Sequence, residues 1–232
     1  MKIAICDSRI PKAALDNLSH YCDNIVLLPK FEALAPPVSA HPDILIFPLA
    51  DKGYILTHRE YLLYAQEAFA GIDLDIIPIS EKAGDVYPRD ILLNAAVVGE
   101  HLFGKLDHLS KSVLNSGFKN INVNQGYARC STLSVNERAL ITSDKGIAKA
   151  AKKENLDVLL IEPGYVELDG YDYGFIGGAG GYDNENVYFC GNVQTHPDAD
   201  KIIDFCLSHG KTPISLASSP LYDVGTIFFL YL

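Results

Sequence analysis

The chain has no tryptophan, one methionine and few cysteines, and it contains no run of basic residues. The cysteines are odd in number and scattered without a Cys-x-x-Cys pair: Cys6, Cys22, Cys130, Cys190 and Cys206. This usage argues against a secreted disulfide framework and against a structural zinc site. The seven histidines also lack metal-ligand spacing. The sequence therefore predicts neither a metal nor another cofactor.

Positive charge is scarce as well. The 232 residues include 19 Lys and Arg against 29 Asp and Glu, a formal net charge of −10. A nucleic-acid or membrane-surface partner normally requires a basic patch, so we expect neither. An acidic field mildly favours cationic ligands, although it also serves solubility.

Long apolar runs are missing too. The start, MKIAICDSRIPK, has one lysine and only four apolar residues before Asp7, which is too short for the apolar part of a signal peptide. No apolar run reaches the length of a membrane span. We therefore expect a cytoplasmic protein. The hydrophobic fraction of 48% is sufficient for one core-bearing domain over residues 1–232. A homodimer is left open.

An order of strand, strand, helix and strand recurs with a spacing of about forty residues. It is clearest at 127–161, where YARCSTLSV and ERALIT precede the predicted helix SDKGIAKAAKKEN and the strand DVLLIEP. Ser143 is the expected N-cap of that helix. In the unit at 173–216, Pro197 fits the first helical turn and Gly210 the position after the helix. The first strands of the four complete units are predicted at 43–49, 91–99, 127–135 and 173–178.

A fifth unit is divided between residues 1–30 and 221–232. The segment VGTIFFLYL at 224–232 is a strand without a following helix, and KIAICDS at 2–8 precedes a helix and a strand. A last strand that completes the first unit would close a ring and leave no free sheet edge. The sequence thus predicts a closed five-unit pseudo-symmetric α/β propeller. The alternative is an open α/β sheet, in which strands and helices alternate one for one.

Three segments resemble motifs of the guanidino-group-modifying (pentein) enzymes, which include arginine deiminases, agmatine deiminases and dimethylarginine dimethylaminohydrolases. DVYPRDILLNAAVVG (85–99) resembles the motif whose Asp grips the substrate guanidinium. The segment at 126–151, which begins GYARC, resembles the unit with a Gly-Gly-Asp turn. YDVGTIFFL (222–230) resembles the strand that leads to the nucleophilic Cys. The chain looks most like an uncharacterised family of this fold, with GYARC, GYDYGFIGG and HPD among its hallmark runs.

Individual residues carry this resemblance unevenly. Asp90 matches the guanidinium-gripping Asp, and Arg89 matches its basic neighbour. The acid of Gly-Gly-Asp falls near Ala128, and the nucleophile falls near Phe228. The catalytic His falls near GYDYGFIGG (170–178), which contains none. The resemblance therefore implies the fold and a small cationic, guanidino-type ligand, with the Cys-His-Glu machinery not retained.

In such a ring, the turns that lead into the innermost strands would contact a ligand in the central channel. The candidate substrate-binding residues are Asp90, Arg89, Tyr127, Arg129, Tyr173 and Asp223. Asp90 could take a guanidinium through two parallel charge-assisted hydrogen bonds; alternatively, Arg89 and Asp90 form a solvated turn. Tyr127, Tyr171 and Tyr173 either offer π faces to a cation or are routine strand residues.

Cys130 and His196 are the candidate catalytic residues. Arg129 could lower the pKa of the Cys130 thiol, but alternation along a strand would separate the two side chains, which favours a buried, inert cysteine. His196 could equally serve the start of a helix. The run GFIGGAGG (174–181) is followed by a predicted strand, which favours a glycine-lined hairpin or close backbone approach over a phosphate loop.

The function predicted from the sequence is binding of a small guanidino or amidino compound in the channel, with hydrolysis or group transfer as an open question. An active enzyme would be a hydrolase or an amidinotransferase acting on a C–N bond. The alternative is a non-catalytic module that senses a ligand or contacts another protein. A third possibility is a hydrolase that uses Cys130 or Cys6 as the nucleophile with a different general base.

Overall fold

A computed structural model describes all 232 residues. In chain order the strands are β1 (Lys2–Asp7), β2 (Asn24–Leu28), β3 (Ile46–Leu49), β4 (Tyr54–Thr57), β5 (Asp75–Pro78), β6 (Ala96–Val98), β7 (His101–Gly104), β8 (Lys119–Asn122), β9 (Thr132–Asn136), β10 (Ala139–Thr142), β11 (Asp157–Leu160), β12 (Val166–Glu167), β13 (Gly180–Tyr182), β14 (Asn186–Phe189), β15 (Thr212–Ser215), β16 (Leu221–Tyr222) and β17 (Phe228–Tyr231).

The helices are short. They are α1 (Lys12–Leu18), α2 (Pro42–Leu45), α3 (Leu62–Ala68), α4 (Lys111–Leu114), α5 (Lys145–Lys153) and α6 (Ala199–Ser208). Single turns of 3-10 helix occur at Pro36–Val38, Ala50–Lys52, Arg59–Tyr61, Leu106–His108 and Val193–Thr195. None of these helices is long and apolar enough to cross a membrane.

Five three-stranded sheets share one topology. Their strand orders are β17-β1-β2, β3-β4-β5, β6-β7-β8, β9-β10-β11 and β13-β14-β15. In each, the middle strand pairs antiparallel with the first strand and parallel with the third. A helix connects each parallel pair, as parallel strands require a crossover. A sixth sheet pairs β12 with β16, and no sheet closes on itself.

The first sheet combines both ends of the chain. Strand β17 runs antiparallel to β1, with Lys2 opposite Tyr231 and Ile5 opposite Phe228. The other edge of β1 pairs in parallel with β2. Strand β1 is therefore central in its sheet only because the last strand covers its second edge.

Apolar side chains pack between neighbouring sheets and not around one centre. Five buried clusters join consecutive sheets in turn: first to second around Ile3 and Ile44, second to third around Leu56 and Leu102, third to fourth around Val98 and Leu140, fourth to fifth around Leu133 and Phe189, and fifth to first around Tyr188 and Ala4. Each sheet thus depends on two others for burial of its apolar faces.

The first strand of every unit begins later than the apolar pattern indicates. The predicted strands at 43–49, 91–99 and 127–135 are observed as β3, β6 and β9, and the strand predicted at 224–232 is observed as β17. The strand predicted at 173–178 is wrong, because these residues form a turn and β13 begins only at Gly180. The residues before each strand form turns, or the helical turn α2 in the second unit. Their backbone groups bond to other units, as described below, and so are not available to a sheet.

Helix boundaries differ from prediction in two places. The N-cap of α5 is Asp144, not Ser143: the Asp144 carboxylate accepts a hydrogen bond of 2.7 Å from the Ile147 amide. Pro197 precedes α6 instead of lying in its first turn, because Asp198 occupies the cap position. Gly210, after α6, has the left-handed conformation (φ 71°) that the sequence predicts.

Removal of residues 221–232 should abolish cooperative unfolding, because it exposes one edge of β1 and opens the clusters that join the first sheet to its neighbours. Denaturant titration followed by circular dichroism measures this. A chain that lacks only Leu232 is the control and should unfold like the intact protein. A cooperative transition of the shortened chain near the midpoint of the full chain would contradict this role of β17.

Candidate functional site

The turns that precede the first strands converge on a cavity of about 300 Å³, here called the first cavity. Its wall consists of Val38, His41, Ile44, Tyr127, Cys130, Leu168, Tyr171, Asp172, Tyr173, Phe175 and Asp223. His41, Cys130 and Asp223 are buried, whereas Tyr171 and Tyr173 are exposed. The cavity therefore runs from an aromatic mouth to a polar closed end.

Asp223 is the acidic group at that closed end. Its side chain is 2% exposed, and its two carboxylate oxygens accept backbone N–H groups of Phe175 and Gly225, both at 2.9 Å. Burial raises the pKa of Asp223 to about 6, and the nearby Asp43 adds to the rise, although His41 opposes it. The carboxyl group is thus fixed in direction and titrates close to neutral pH.

His41 lies between two carboxylates. It caps α2, where Pro42 occupies the first helical turn. Its Nδ1 is 3.8 Å from Asp223 Oδ1, and its Nε2 is 3.9 Å from Asp7 Oδ2. Gly225 packs against the imidazole with φ of 67°, and a Cβ there would overlap it. Burial lowers the pKa of His41, so the imidazole is neutral at pH 7 despite the two acids.

The two carboxylates beside His41 differ in charge balance. Asp7 is held by Arg9 through a forked pair, with Nη2 at 2.6 Å and Nε at 2.9 Å. Asp223 has no lysine or arginine within ion-pair distance, and its one ion-pair contact is the neutral His41. Asp223 is therefore a buried carboxylate on the cavity wall, and no lysine or arginine compensates its charge.

Cys130 places a protonated thiol on the cavity wall. Its Sγ accepts a hydrogen bond of 3.1 Å from Asn94 Nδ2. Burial raises the pKa of the thiol well above its ordinary value, and Asp43 and Asp223 add to the rise. The suggestion that Arg129 lowers this pKa is not supported, because the Arg129 guanidinium turns away, bonds the Thr132 carbonyl and lies 5.2 Å from the Phe228 ring centroid.

Asp43 behind Cys130 is arranged to hold a proton. Thr226 Oγ1 lies 3.0 Å from Asp43 Oδ2 and 2.9 Å from the Gly177 carbonyl oxygen. One hydroxyl proton cannot serve both acceptors, so both contacts are satisfied when Asp43 donates to Thr226. Burial raises the pKa of Asp43, which favours this protonated form. Thr226 has φ of 74°, a strained value for a β-branched residue.

A closed circuit of hydrogen bonds connects the five turns. The Asp43 amide donates to Gly225 O, Asn94 Nδ2 to Asp43 O, the Arg129 amide to Asn94 Oδ1, the Gly178 amide to Cys130 O, and the amides of Val224 and Thr226 to Gly178 O, all at 2.8–3.0 Å. Both side-chain polar atoms of buried Asn94, Nδ2 and Oδ1, form hydrogen bonds. The circuit accounts for backbone groups that a sheet would otherwise have paired.

The glycine run at 174–181 makes this circuit possible. A Cβ on Gly177 would overlap the backbone carbonyls of residues 129–132, and one on Gly178 would overlap the Asp223 carboxylate. Strand β13 then pairs with β14 as a hairpin. The run therefore serves close backbone approach, which is the interpretation that the sequence favours over a phosphate loop.

Asp90 lies beside the first cavity but does not form its wall. It is buried, and its Oδ2 accepts the hydroxyl proton of Tyr127, whose ring does line the cavity. Asp90 Oδ1 is also buried and has no hydrogen-bond partner. Arg89 is exposed and forms no ion pair. The structure thus separates these two neighbours, which the sequence treats as a pair.

His196 lies away from the cavity. Its Nε2 is 3.1 Å from Glu162 O, and its Nδ1 accepts the Asp198 amide at 3.0 Å. The imidazole packs against Tyr165 with ring centroids 5.4 Å apart. Both nitrogens are thereby used in fixing the chain ahead of α6, which is the helix-start alternative that the sequence leaves open.

Sequence reasoning missed His41, Asp43 and Asn94. Two signals were available. The tripeptide His-Pro-Asp occurs both at 41–43 and at 196–198, although the first copy lies in a segment that looks like a strand. Asn94 interrupts the apolar run ILLNAAVV, and a polar residue in such a run must find buried partners.

Comparison with known proteins places the chain in a sequence family. The profile described as "Family of unknown function (DUF6873)" matches residues 5–228. No curated protein sequence matches the chain.

Solved structures share the fold at low sequence identity. A variant of dimethylarginine dimethylaminohydrolase in an adduct with S-methyl-L-thiocitrulline has a TM-score of 0.54 and 12% identity over 94% of this chain and 92% of that chain. The enzyme from Pseudomonas aeruginosa in complex with citrulline has a TM-score of 0.54 and 11% identity over 93% and 92%. SxtG, an amidinotransferase of the saxitoxin pathway from Microseira wollei, has a TM-score of 0.50 and 11% identity over 87% and 73%. The mixed α/β architecture is thus that of guanidino-modifying (pentein) enzymes.

The stability contribution of Asp223 should depend on pH. Its pKa rises from 3.8 to about 6 on folding, so the folded state holds this proton more tightly and loses stability as the pH rises through that interval. Relative to an Asp223→Asn variant, the wild type should lose about 2 kcal/mol of unfolding free energy between pH ~4 and pH ~7. Urea titrations across this range measure the difference.

In Asp223→Asn the side-chain NH₂ group faces a backbone N–H donor, which changes the unfolding free energy by an amount that does not depend on pH. The raised pKa of Asp223 is therefore tested only by how the difference in unfolding free energy between wild type and variant changes with pH. A variant that changes no titratable group is the control: Gln194→Asn, at an exposed position, should differ from the wild type by an amount that does not change over the same range. A pH-independent difference for Asp223→Asn would show that the carboxyl group titrates at its ordinary value.

Proposed function

The chain belongs to the DUF6873 family, whose function is unknown, and we propose that its first cavity binds a small guanidino or amidino cation. The observation that carries the proposal is the Asp223 carboxylate, which is buried at the closed end of the cavity without a compensating cation. A ligand cation would supply that missing charge.

The chemistry of the closed end selects a planar cation. A buried carboxylate is costly without a counter-charge, and a guanidinium or amidinium pairs with it through two parallel N–H donors. Each Asp223 oxygen already accepts one backbone amide and retains a second lone pair for the ligand. Neutral His41 can accept a hydrogen bond from a further ligand N–H group and brings no positive charge of its own.

The aromatic wall supports the same ligand class. Tyr127 and Phe175 lie with ring centroids 6.4 Å apart and near-parallel planes, and Tyr173 meets Phe175 edge-on at 6.4 Å. Such faces attract a delocalised cation by about 0.5–2 kcal/mol. Asp172 lines the exposed part of the cavity and adds negative potential where a cation would enter.

Asp90 acts in this proposal as a positioning residue. Because it accepts the Tyr127 hydroxyl, it fixes the aromatic ring that would cover the ligand. Its unpartnered Oδ1 is a second acceptor close to the cavity wall, available to a ligand N–H when Tyr127 shifts. Arg89 and Arg129 have no contact with this ligand, since one is exposed and the other lines a different cavity.

The site is further proposed to lie on the axis of a closed ring of five units. Two observations support closure: the apolar clusters join each sheet to the next and the fifth to the first, and the hydrogen-bond circuit passes once through all five turns. The fold shared with dimethylarginine dimethylaminohydrolase and an amidinotransferase favours a guanidino-type ligand at that position.

The side chains favour ligand binding without catalysis. A nucleophilic cysteine needs a thiolate, and burial holds Cys130 protonated. Phe228, at the position where the resemblance expects the nucleophile, stacks under Arg129. We therefore favour a protein that senses or carries its ligand over a hydrolase or an amidinotransferase.

Guanidino compounds should bind with an affinity that depends on Asp223 and on pH. Arginine, agmatine and free guanidinium, titrated by calorimetry, should bind more tightly as the pH rises from about 5 to about 7, because the carboxyl group ionises near 6. Asp223→Asn should weaken binding by about 3–5 kcal/mol, or roughly two to four decades in Kd. Asp90→Asn retains an acceptor for Tyr127 and should have a smaller effect.

Urea analogues of the same compounds are the matched neutral ligands and should not bind. If no cation binds the folded wild type, or if Asp223→Asn binds as well as the wild type, the cation site is refuted.

Release of ammonia or citrulline from arginine, agmatine or methylarginines should stay at the buffer background, since no side chain supplies a ready nucleophile. A coupled ammonia assay together with chromatography of the products measures this. Sustained release that disappears in Cys130→Ser, while the Cys190→Ser control remains active, would show that ligand binding activates the thiol and that the protein is an enzyme.

A further inference from the structure

The turn that brings Cys130 to the first cavity brings Arg129 to a second one. This second cavity has a volume of about 440 Å³ and shares no wall residue with the first. Phe47, Val97, Tyr182 and Phe228 form much of its apolar wall. Nothing in the proposed cation site uses this space.

Arg129 is a buried cation with unused donors. The residue is 6% exposed, and its guanidinium makes one hydrogen bond, from Nη1 to the Thr132 carbonyl. No carboxylate lies within 4.0 Å of it, since the ion pairs of the structure all involve other basic residues. Its Nε and Nη2 groups therefore have no acceptor in the protein.

Such a residue is rare without a partner, because a buried charge is normally paired and hydrogen-bonded. The face of the guanidinium is already held over the Phe228 ring at 5.2 Å, which restricts the side chain to one orientation. Burial lowers the pKa of Arg129, in keeping with a cation that lacks compensation. Asp43, the nearest acid in electrostatic terms, is itself biased towards its protonated form.

We propose that the second cavity binds a small carboxylic acid with an apolar body, whose carboxylate takes the free donors of Arg129. A carboxylate accepts two parallel N–H groups of a guanidinium and needs little movement from a side chain that is already fixed. The aromatic and aliphatic wall accommodates the apolar part of the ligand.

The rest of the wall explains why a singly charged ligand is favoured. Asp51 and Glu137 also line the second cavity and are exposed, and Asp183 is held by Lys2. Two acidic groups at the entrance repel a doubly charged anion such as phosphate more than they repel a monocarboxylate. This site uses different residues from the cation site, so either proposal can fail alone.

Benzoate is the probe, and benzamide is the neutral ligand of the same shape. Calorimetry on the full chain should show benzoate binding more tightly than benzamide by roughly 10- to 100-fold, as expected for charge-assisted hydrogen bonds. Arg129→Gln should reduce benzoate affinity to that of benzamide. Arg59→Gln, which removes an exposed arginine elsewhere, should leave it unchanged.

A second variant keeps the test decisive if Arg129→Gln does not fold. Val97→Phe fills the second cavity from strand β6 while leaving Arg129 in place, and it should weaken benzoate binding by at least about tenfold. Absence of benzoate binding to the wild type at millimolar concentration overturns the proposal. So does equal affinity for benzamide, tighter binding of inorganic phosphate, or benzoate affinity that survives whichever of the two variants folds.

Discussion

The need to satisfy buried main-chain groups where five turns meet determines the rest of the structure. Each turn pairs some of its amides and carbonyls within its own unit, but others are bonded only to a neighbouring turn, and the Asn94 side chain bridges three of the turns. The glycines at 177 and 178 allow the necessary approach of backbones. The first strand of each unit begins beyond these bonded residues, and the same turn carries Cys130 to the first cavity and Arg129 to the second.

This dependence explains what the sequence could and could not predict. The units themselves were predictable, because alternation of apolar residues and helix-end signals such as Gly210 are local. The starts of the first strands were not: residues such as Ile44 and Leu93 are buried equally well by a strand and by a turn, and the bonds that decide between them come from distant segments. Two of the missed site residues, Asp43 and Asn94, lie in these segments, and His41 lies two residues before one of them. Aromatic and acidic residues in a turn are candidate ligand contacts whether or not the backbone hydrogen bonds of that turn are known. The sequence could therefore assign Tyr127, Tyr173 and Asp223 to the turns around the channel.

The four buried aspartates near the site show how one residue type acquires different electrostatic states. Asp7 is neutralised by Arg9, and Asp43, whose Oδ2 is hydrogen-bonded to the Thr226 hydroxyl, is biased by burial towards its protonated form. Asp90 is stabilised by a tyrosine hydroxyl, whereas Asp223 relies on two backbone amides. Of the four, only Asp223 lies on the wall of the first cavity, and burial raises its pKa to about 6. The distinction depends on partners contributed by other units, so residue type and neighbours in sequence do not reveal it.

Arg129 and Cys130 are consecutive residues that face separate cavities, and this adjacency has a thermodynamic consequence. A single peptide unit joins the two walls, and both of its flanking residues are tethered to Asn94. Any ligand that displaces this peptide in one cavity changes the free energy of occupying the other, and by linkage the second ligand exerts an equal effect on the first. If both proposed ligands bind, the affinity for the cation and the affinity for the carboxylate would therefore depend on each other through this one peptide unit.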